Sequence, residues 1–297
     1  MTNVLPQLLP EAFGTAETAH VSLVADRRGT ALWQVHLDDG SRYALKATTA
    51  CTDPQGHVDS EHLALVEAEL LMALERAGVL RHLYRAHGDL PDGTGTWLTL
   101  RWLPGEEAET AYGKLRTTPD DRTAARYAAA MAGAVADLHE AGWTHGDMQE
   151  VHFILDGDSA HLLDFAMAQP PAGIRIAAHR APYRGAYDFF MSPELAARRL
   201  ATKPSEHLEL TTASEVWSLC ATIYACWTGV YPISEKDTKL STPDLRAELA
   251  HGRYRPLPMV RPWAFPAFED IISTGLVIDP TARPTARELQ HMFQELV

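Results

Sequence analysis

Cysteine, basic charge and long apolar runs are all scarce in this 297-residue chain, and each scarcity closes off a class of function. The cysteines number three, Cys51, Cys220 and Cys226, with no metal-ligand spacing among them. With no signal-peptide pattern at the start either, they read as reduced thiols in a cytoplasmic protein. Lys and Arg total 26 against 39 Asp and Glu, a formal charge of −13. Nucleic acid is therefore not expected as the main partner, because phosphate binding needs a positive surface. No apolar run reaches the ~18 residues that span a membrane, so no membrane partner is expected. What remains is ordinary for a globular chain: 46% apolar and 22% charged residues, enough length for one large or two modest cores.

The chain is organised around His145-Gly146-Asp147-Met148-Gln149-Glu150-Val151-His152 and Leu162-Leu163-Asp164-Phe165-Ala166. Two aspartates lie 17 positions apart, each near an apolar run, with the turn-prone Asp156-Gly157-Asp158 between them. This reads as strand–turn–strand, placing two carboxylates at one mouth.

Residues 1–18 show no period and read as an N-terminal extension. Strands are expected at His20-Val24, Ala31-Leu37 and Arg42-Lys46, with a hairpin turn at Asp38-Asp39-Gly40. Residues 50–60 read as a polar loop. Glu61 to Arg76 repeats apolar residues at helical spacing, with Asp59 or Ser60 as N-cap. Strands follow near Leu83-His87 and Trp97-Trp102, and Pro104-Gly105 punctuates the chain. Helices are expected over Arg122-Ala141, Thr212-Thr228, Pro243-His251, Pro266-Leu276 and Thr285-Leu296, and a long loop over Gln169-Phe190. The division is then a β-rich part at 19–103 and a helical part at 104–297.

The order of several short motifs resembles the protein kinases, over roughly residues 19–297. Tyr43-Ala44-Leu45-Lys46 resembles their lysine strand, and Glu67, 21 positions later, resembles the helix glutamate that pairs with that lysine. Trp97 to Gly105 looks like the fifth strand and hinge, with Leu100 as gatekeeper and the backbone of Arg101 and Leu103 meeting adenine. His145-Gly146-Asp147 is similar to the family's His-Arg-Asp, and Asp164-Phe165-Ala166 to its Asp-Phe-Gly. Met191-Ser192-Pro193-Glu194, Ser214 to Leu219, Thr228 to Pro232 and Asp279 to Pro284 resemble its later motifs. The resemblance implies an α+β, bilobal fold with a small β-rich N-lobe and a larger helical C-lobe. It implies a Glu194–Arg283 salt bridge and a stack of Leu71, His145 and Phe165.

It also implies ATP and Mg2+ as cofactors. Asp147 would act as catalytic base, Lys46 and Glu67 would hold the nucleotide phosphates, and Asp164 would hold the metal. The departures are equally specific. Of the three phosphate-loop glycines only Gly29 remains, with Arg27 and Arg28 beside it as replacement phosphate contacts. Gly146 stands where an arginine usually senses a phosphate, so activity is expected not to depend on phosphorylation of the activation segment. Gln149 takes the place of a catalytic lysine and brings no charge. His152 replaces the asparagine of the second metal, with an imidazole where magnesium prefers oxygen, so the second metal site is expected to be weak or absent; His152 is a metal ligand, or it bonds a phosphate or the backbone near Asp147. Glu215 replaces a shorter aspartate that braces the catalytic loop.

Arg175, His179, Arg180 and Arg184 fall between Ala172 and Ala186 with no acid among them. Three arginines there suit an acidic or phosphorylated acceptor. Phe189 and Phe190 are either an acceptor platform or packing residues. The expected reaction is ATP-dependent phosphorylation of Ser/Thr in a protein or peptide, as in bacterial Ser/Thr kinases with an altered catalytic loop. One variant is a stand-alone kinase of a lanthipeptide-type pathway, whose phosphorylated precursor is dehydrated by a partner lyase. The alternatives are a pseudokinase scaffold and, from His-Gly-Asp alone, a small-molecule kinase.

Overall fold

A computed structural model of the chain describes residues 11–14, 19–27, 29–49, 51–52, 58–59, 62–178, 180–185, 187–233 and 239–297. The expected N-terminal extension, Arg28, Ser60 and His179 fall wholly or largely outside them. Two compact units divide the chain. The first comprises 1–103 with Ala172–Ala181, and the second Pro104–Pro171 with Pro182–Val297.

In the first unit, β1 (Ala19–Arg27), β2 (Thr30–Leu37), β3 (Arg42–Thr49), β6 (Tyr84–Asp89) and β7 (Gly95–Arg101) form one sheet. Its order is β1-β2-β3-β7-β6, and every pairing is antiparallel. Side chains alternate across a strand, which decides where the lysine goes. Ala31, Trp33, Val35, Leu45, Ala47 and Trp97 share one buried cluster on one face. Lys46, between Leu45 and Ala47, faces the other way, in register with Leu32 and Leu98. Helix α1 (Leu63–Arg76) packs on β6 and β7. Its apolar stripe of Val66, Leu70, Leu71 and Leu74 buries Glu67 along with it.

Two local expectations change here. The helix starts at Leu63 with His62 as N-cap and no side-chain cap bond, not at Asp59 or Ser60. Asp59 instead lies in a short strand, β5 (Val58–Asp59), paired with β4 (Cys51–Thr52), inside what reads from sequence as a polar loop.

The second unit is mainly helical. Helices α2 (Ala108–Thr117) and α4 (Pro193–Ala201) add to the expected set. The others are α3 (Asp121–Glu140), α5 (Thr212–Thr228), α6 (Thr242–Ala250), α7 (Pro266–Gly275) and α8 (Ala286–Gln294), within one or two residues of the sequence boundaries. Helix α5 is buried on all sides, capped by Thr211 at its start and ended by Gly229 at φ 75°, the left-handed C′ position that glycine fills without strain. Helix α3 packs its alanine-rich face on α8.

A small sheet of β8 (Glu106–Glu107), β9 (Phe153–Asp156) and β10 (Ser159–Leu162) completes this unit. The β9–β10 hairpin pairs Phe153 with Leu162, and Leu163 N–H donates to His152 O at 2.9 Å. That register brings the two aspartate motifs to one end of the hairpin. No helix among the described residues is long and apolar enough to cross a membrane.

Candidate active site

The first unit holds the cation and a stretch of open backbone. Lys46 Nζ donates to Glu67 Oε2 at 2.7 Å, with side chains 14% and 2% exposed. Removing one partner from a pair buried this deeply typically costs 3–5 kcal/mol, so the pair fixes the ammonium on the α1 side of the sheet. Gly29 sits at φ 73° after β1, and its carbonyl accepts from Thr49 N–H at 2.9 Å. Arg27 ends β1. At the end of β7, Arg101 N–H is engaged by Leu83 O at 2.8 Å and Trp102 N–H by Arg42 O at 3.0 Å. Leu103 N–H has no partner among the described residues.

In the second unit, the catalytic-loop candidates are pinned from several sides. Glu215, in the first turn of α5, is 1% exposed. Its Oε2 accepts from His139 Nε2 and His145 N–H, both at 2.9 Å, and its Oε1 from Gly146 N–H at 2.6 Å. The longer side chain thus braces the loop with both oxygens. His145 Nε2 donates to Leu163 O at 2.8 Å, and its Nδ1 accepts from Asp147 N–H at 3.3 Å. Burial pushes the imidazole below its ordinary value, and the His152 charge acts the same way. A protonated Nδ1 would face the Asp147 donor, so the neutral ring is the form this site accommodates. Phe165 packs edge-on against His145 at 5.1 Å.

Asp147 keeps a partly open carboxylate, 17% exposed. Gln149 Nε2 donates to its Oδ1 at 2.6 Å, and His152 Nδ1 donates to its backbone oxygen at 2.7 Å. Gln149 thus orients the aspartate. Asp164 adopts φ 60°, ψ 71°, a left-handed conformation that a non-glycine residue keeps only where the surroundings impose it. Its Oδ2 lies 3.9 Å from His152 Nε2.

The family model of the protein kinase domain matches residues 27–293. The chain belongs to the protein kinase domain family. Among curated relatives, maternal embryonic leucine zipper kinase of Xenopus tropicalis is 22% identical over 288 residues, and so is its counterpart in Xenopus laevis. Each match covers 95% of this chain and 38% of the relative. The kinase chain therefore spans well under half the length of these relatives. The fold is accordingly the α+β, bilobal one of the family, with a five-stranded antiparallel sheet in one unit and helices in the other.

The later motifs of the family are in place in this chain. Arg283 holds Glu194 through two parallel bonds of 2.7 and 2.8 Å, and also bonds the carbonyls of Ala213, Val277 and Ile278. Burial alone would raise the Glu194 carboxyl, but the Arg283 bonds outweigh it and hold it below its usual value.

Four features of the segment after Asp164 escaped the sequence reading. Glu69 Oε2, on α1 of the first unit, accepts from the N–H groups of Ala177 and Ala178 at 2.6 and 3.0 Å. Tyr183, 5% exposed, donates its hydroxyl to Gly146 O at 2.8 Å. Asp188 is clamped by Arg199 at 2.8 Å and Arg246 at 3.1 Å. No serine or threonine occurs between Ser159 and Ser192. The absence of hydroxyls was readable from sequence; the three contacts carry no local signal.

The three arginines proposed to meet the acceptor differ in their surroundings. Arg184 donates to Thr202 Oγ1 and to the carbonyls of Arg199, Thr202 and Glu206, at 2.7–3.2 Å. It closes the C-terminal end of α4. Arg175 is exposed and Arg180 half-buried. Phe190 is buried and its carbonyl accepts from Ser218 on α5 at 2.8 Å, whereas Phe189 packs on Tyr231 at 4.6 Å between ring centres. Phe190 is thus a packing residue. A cavity of about 270 Å³ beside Tyr231 is also lined by Glu109, Glu150 and Arg255, and burial raises the Glu150 carboxyl.

Proposed function

We propose that this kinase moves the γ-phosphoryl group of ATP to a Ser or Thr hydroxyl of a protein or peptide. The observation that carries the reading is the buried Lys46–Glu67 pair at 2.7 Å. A lysine held in this way is a fixed counter-charge for nucleotide phosphates, and catalysis of this reaction consists mostly of positioning and electrostatics. The purine edge meets Leu103 N–H and the Arg101 carbonyl. Gly29 is the backbone position offered to the phosphates, and Arg27 and Arg28, its neighbours in sequence, are the replacement phosphate contacts.

Asp147 orients the acceptor hydroxyl and takes its proton. Gln149 occupies Oδ1, so Oδ2 is the oxygen presented to the acceptor. A divalent cation, Mg2+ in the ordinary case, would neutralise phosphate charge when bound, and Asp164 is the carboxylate that would hold it. The segment from Ala172 to Phe190 needs no phosphate to order it. Glu69, Tyr183 and Arg184 already engage it, and the buried Tyr183 hydroxyl is unsuited to modification. Arg175 and Arg180 favour an acidic acceptor.

A scaffold reading draws on Gln149, which brings no charge to the transferred group and ties up one oxygen of Asp147. The two readings separate in one experiment. Thermal denaturation is followed with ATP and Mg2+, and transfer from γ-labelled ATP is followed on a Ser/Thr peptide library that includes precursor-type peptides for a partner lyase. Stabilisation together with labelled peptide supports the kinase. No stabilisation and no label on any peptide would contradict it.

A further inference from the structure

We infer that Tyr183 is a positioning residue for phosphoryl transfer: its buried hydroxyl holds the peptide unit between Gly146 and Asp147 and so aims the Asp147 carboxylate at the acceptor. The inference deepens the reading above and rests on it, because it takes Asp147 as the group that receives the acceptor's proton. Tyr183 is 5% exposed and donates to the Gly146 carbonyl oxygen at 2.8 Å. It lines the same small cavity as Asp147, Tyr187 and Phe190.

The position to be controlled is the one glycine of the stretch from His145 to His152. Glycine carries no Cβ and accepts a wide range of backbone angles, so residue 146 by itself leaves the direction of Asp147 open. Three contacts close that freedom. Glu215 Oε1 accepts from Gly146 N–H at 2.6 Å and fixes the preceding peptide unit. Tyr183 takes the carbonyl of the next unit, and His145 Nδ1 accepts from the N–H of that same unit, which belongs to Asp147, at 3.3 Å. The longer bond is the weaker of the two, so the hydroxyl carries most of the constraint on this plane. No other donor reaches the Gly146 carbonyl among the described residues. Gly146 is buried, and loss of the hydroxyl therefore leaves a buried acceptor unsatisfied, with the plane turning to find another donor.

Tyr183 is itself held on both sides of its backbone. Its N–H donates to His207 Nδ1 at 3.1 Å, and its carbonyl accepts from Leu208 N–H at 2.8 Å. Its ring packs in a buried cluster with Met191, Leu195 and Leu208. A hydroxyl on a ring fixed in this way meets its acceptor without further loss of rotamer freedom, which is what makes a supporting contact precise. Burial, and then the charges of Glu215 and Asp147, push the phenol well above its ordinary value, so the group remains a donor through the neutral range. With so little exposure, the side chain acts through Asp147 and not on the acceptor.

Tyr183→Phe keeps the ring and removes only the hydroxyl. In the full chain, kcat and KM are measured for transfer from γ-labelled ATP to a Ser/Thr peptide that the wild type labels. The expected result is a fall in kcat of about 10- to 100-fold, the scale of a catalytic group misplaced by about 1 Å, with KM for ATP and for peptide unchanged. In an Asp147→Ala background, Tyr183→Phe should lower the residual rate no further, because a residue that works only through Asp147 then has nothing to aim. A purely structural role would lower both rates alike. Amide exchange at Asp147 in the wild type reads the same plane without any substitution, and protection is expected there. An unchanged kcat in Tyr183→Phe, an equal fall in the two backgrounds, or an Asp147 amide that exchanges like an open loop overturns the inference and leaves the kinase reading intact. Absence of transfer by the wild type to any peptide overturns both.

Discussion

Replacing Gly146 with the arginine usual at its position should destabilise this protein, and Gly146→Ala isolates the reason. The residue sits at φ +84°, in the left-handed region that costs a side-chain-bearing residue about 1–2 kcal/mol. A Cβ there would also fall well inside the van der Waals distance of the Met167 carbonyl oxygen. Relieving such an overlap shifts backbone and costs roughly a further 1–3 kcal/mol. The sum is about 2–5 kcal/mol, or a fall of roughly 3–8 °C in melting temperature for a chain of this size. Gly157 is a built-in control, because it has φ +59° but nothing within 4 Å of the place a methyl group would take. Gly157→Ala should cost the strain alone, about 1–2 kcal/mol. Calorimetric melting of the two variants side by side reads the difference. Equal melting temperatures would refute the close approach of Met167. Gly146→Arg should melt no higher than Gly146→Ala.

Two further outcomes follow from single contacts. Glu69→Gln keeps the shape of the side chain and removes its charge, and hydrogen exchange at Ala177 and Ala178 should then quicken by about fivefold, the equivalent of ~1 kcal/mol per bond; unchanged protection would show that Glu69 does not hold the segment. The His145 value is lowered by folding from the ordinary 6.5, so its contribution is complete above that pH and is lost as pH falls through the lowered folded value, where the unfolded chain binds the proton first. Urea midpoints should therefore drop between pH 7 and 5, and His145→Gln should flatten that slope; an identical slope in the variant would remove His145 from the cause.

Periodicity made the long elements legible. The run from Thr212 to Thr228 is apolar all round and became the buried α5 with the same boundaries. The alternation in β2 placed Trp33 and Val35 on one face. Helix α2 was missed because it is short, carries Gly113 inside it, and buries only Ala108, Ala111, Tyr112 and Leu115. Helix α4 begins at Pro193, inside a motif read for its chemistry rather than its conformation. At the site, the ordered motifs pointed to Lys46, Glu67, Asp147 and Asp164 because each stands in a short, recognisable context. Glu69 and Tyr183 were invisible for the opposite reason. Their partners lie 108 and 37 positions away in sequence, and hydrogen bonds to backbone leave no mark on the partner's side chain. Gly146 was legible as a missing arginine, but its left-handed backbone against Met167 emerges only in three dimensions.

Phosphoryl transfer by Asp147→Ala, measured beside nucleotide binding on the same preparation, bears most directly on the function. Removing a positioned base costs about 10²- to 10⁴-fold in rate, while the Lys46–Glu67 pair lies in the other unit and is untouched. The expected result is transfer reduced by at least ~100-fold with ATP affinity retained. Full transfer in Asp147→Ala would contradict the assignment of Asp147 as the residue that receives the acceptor's proton.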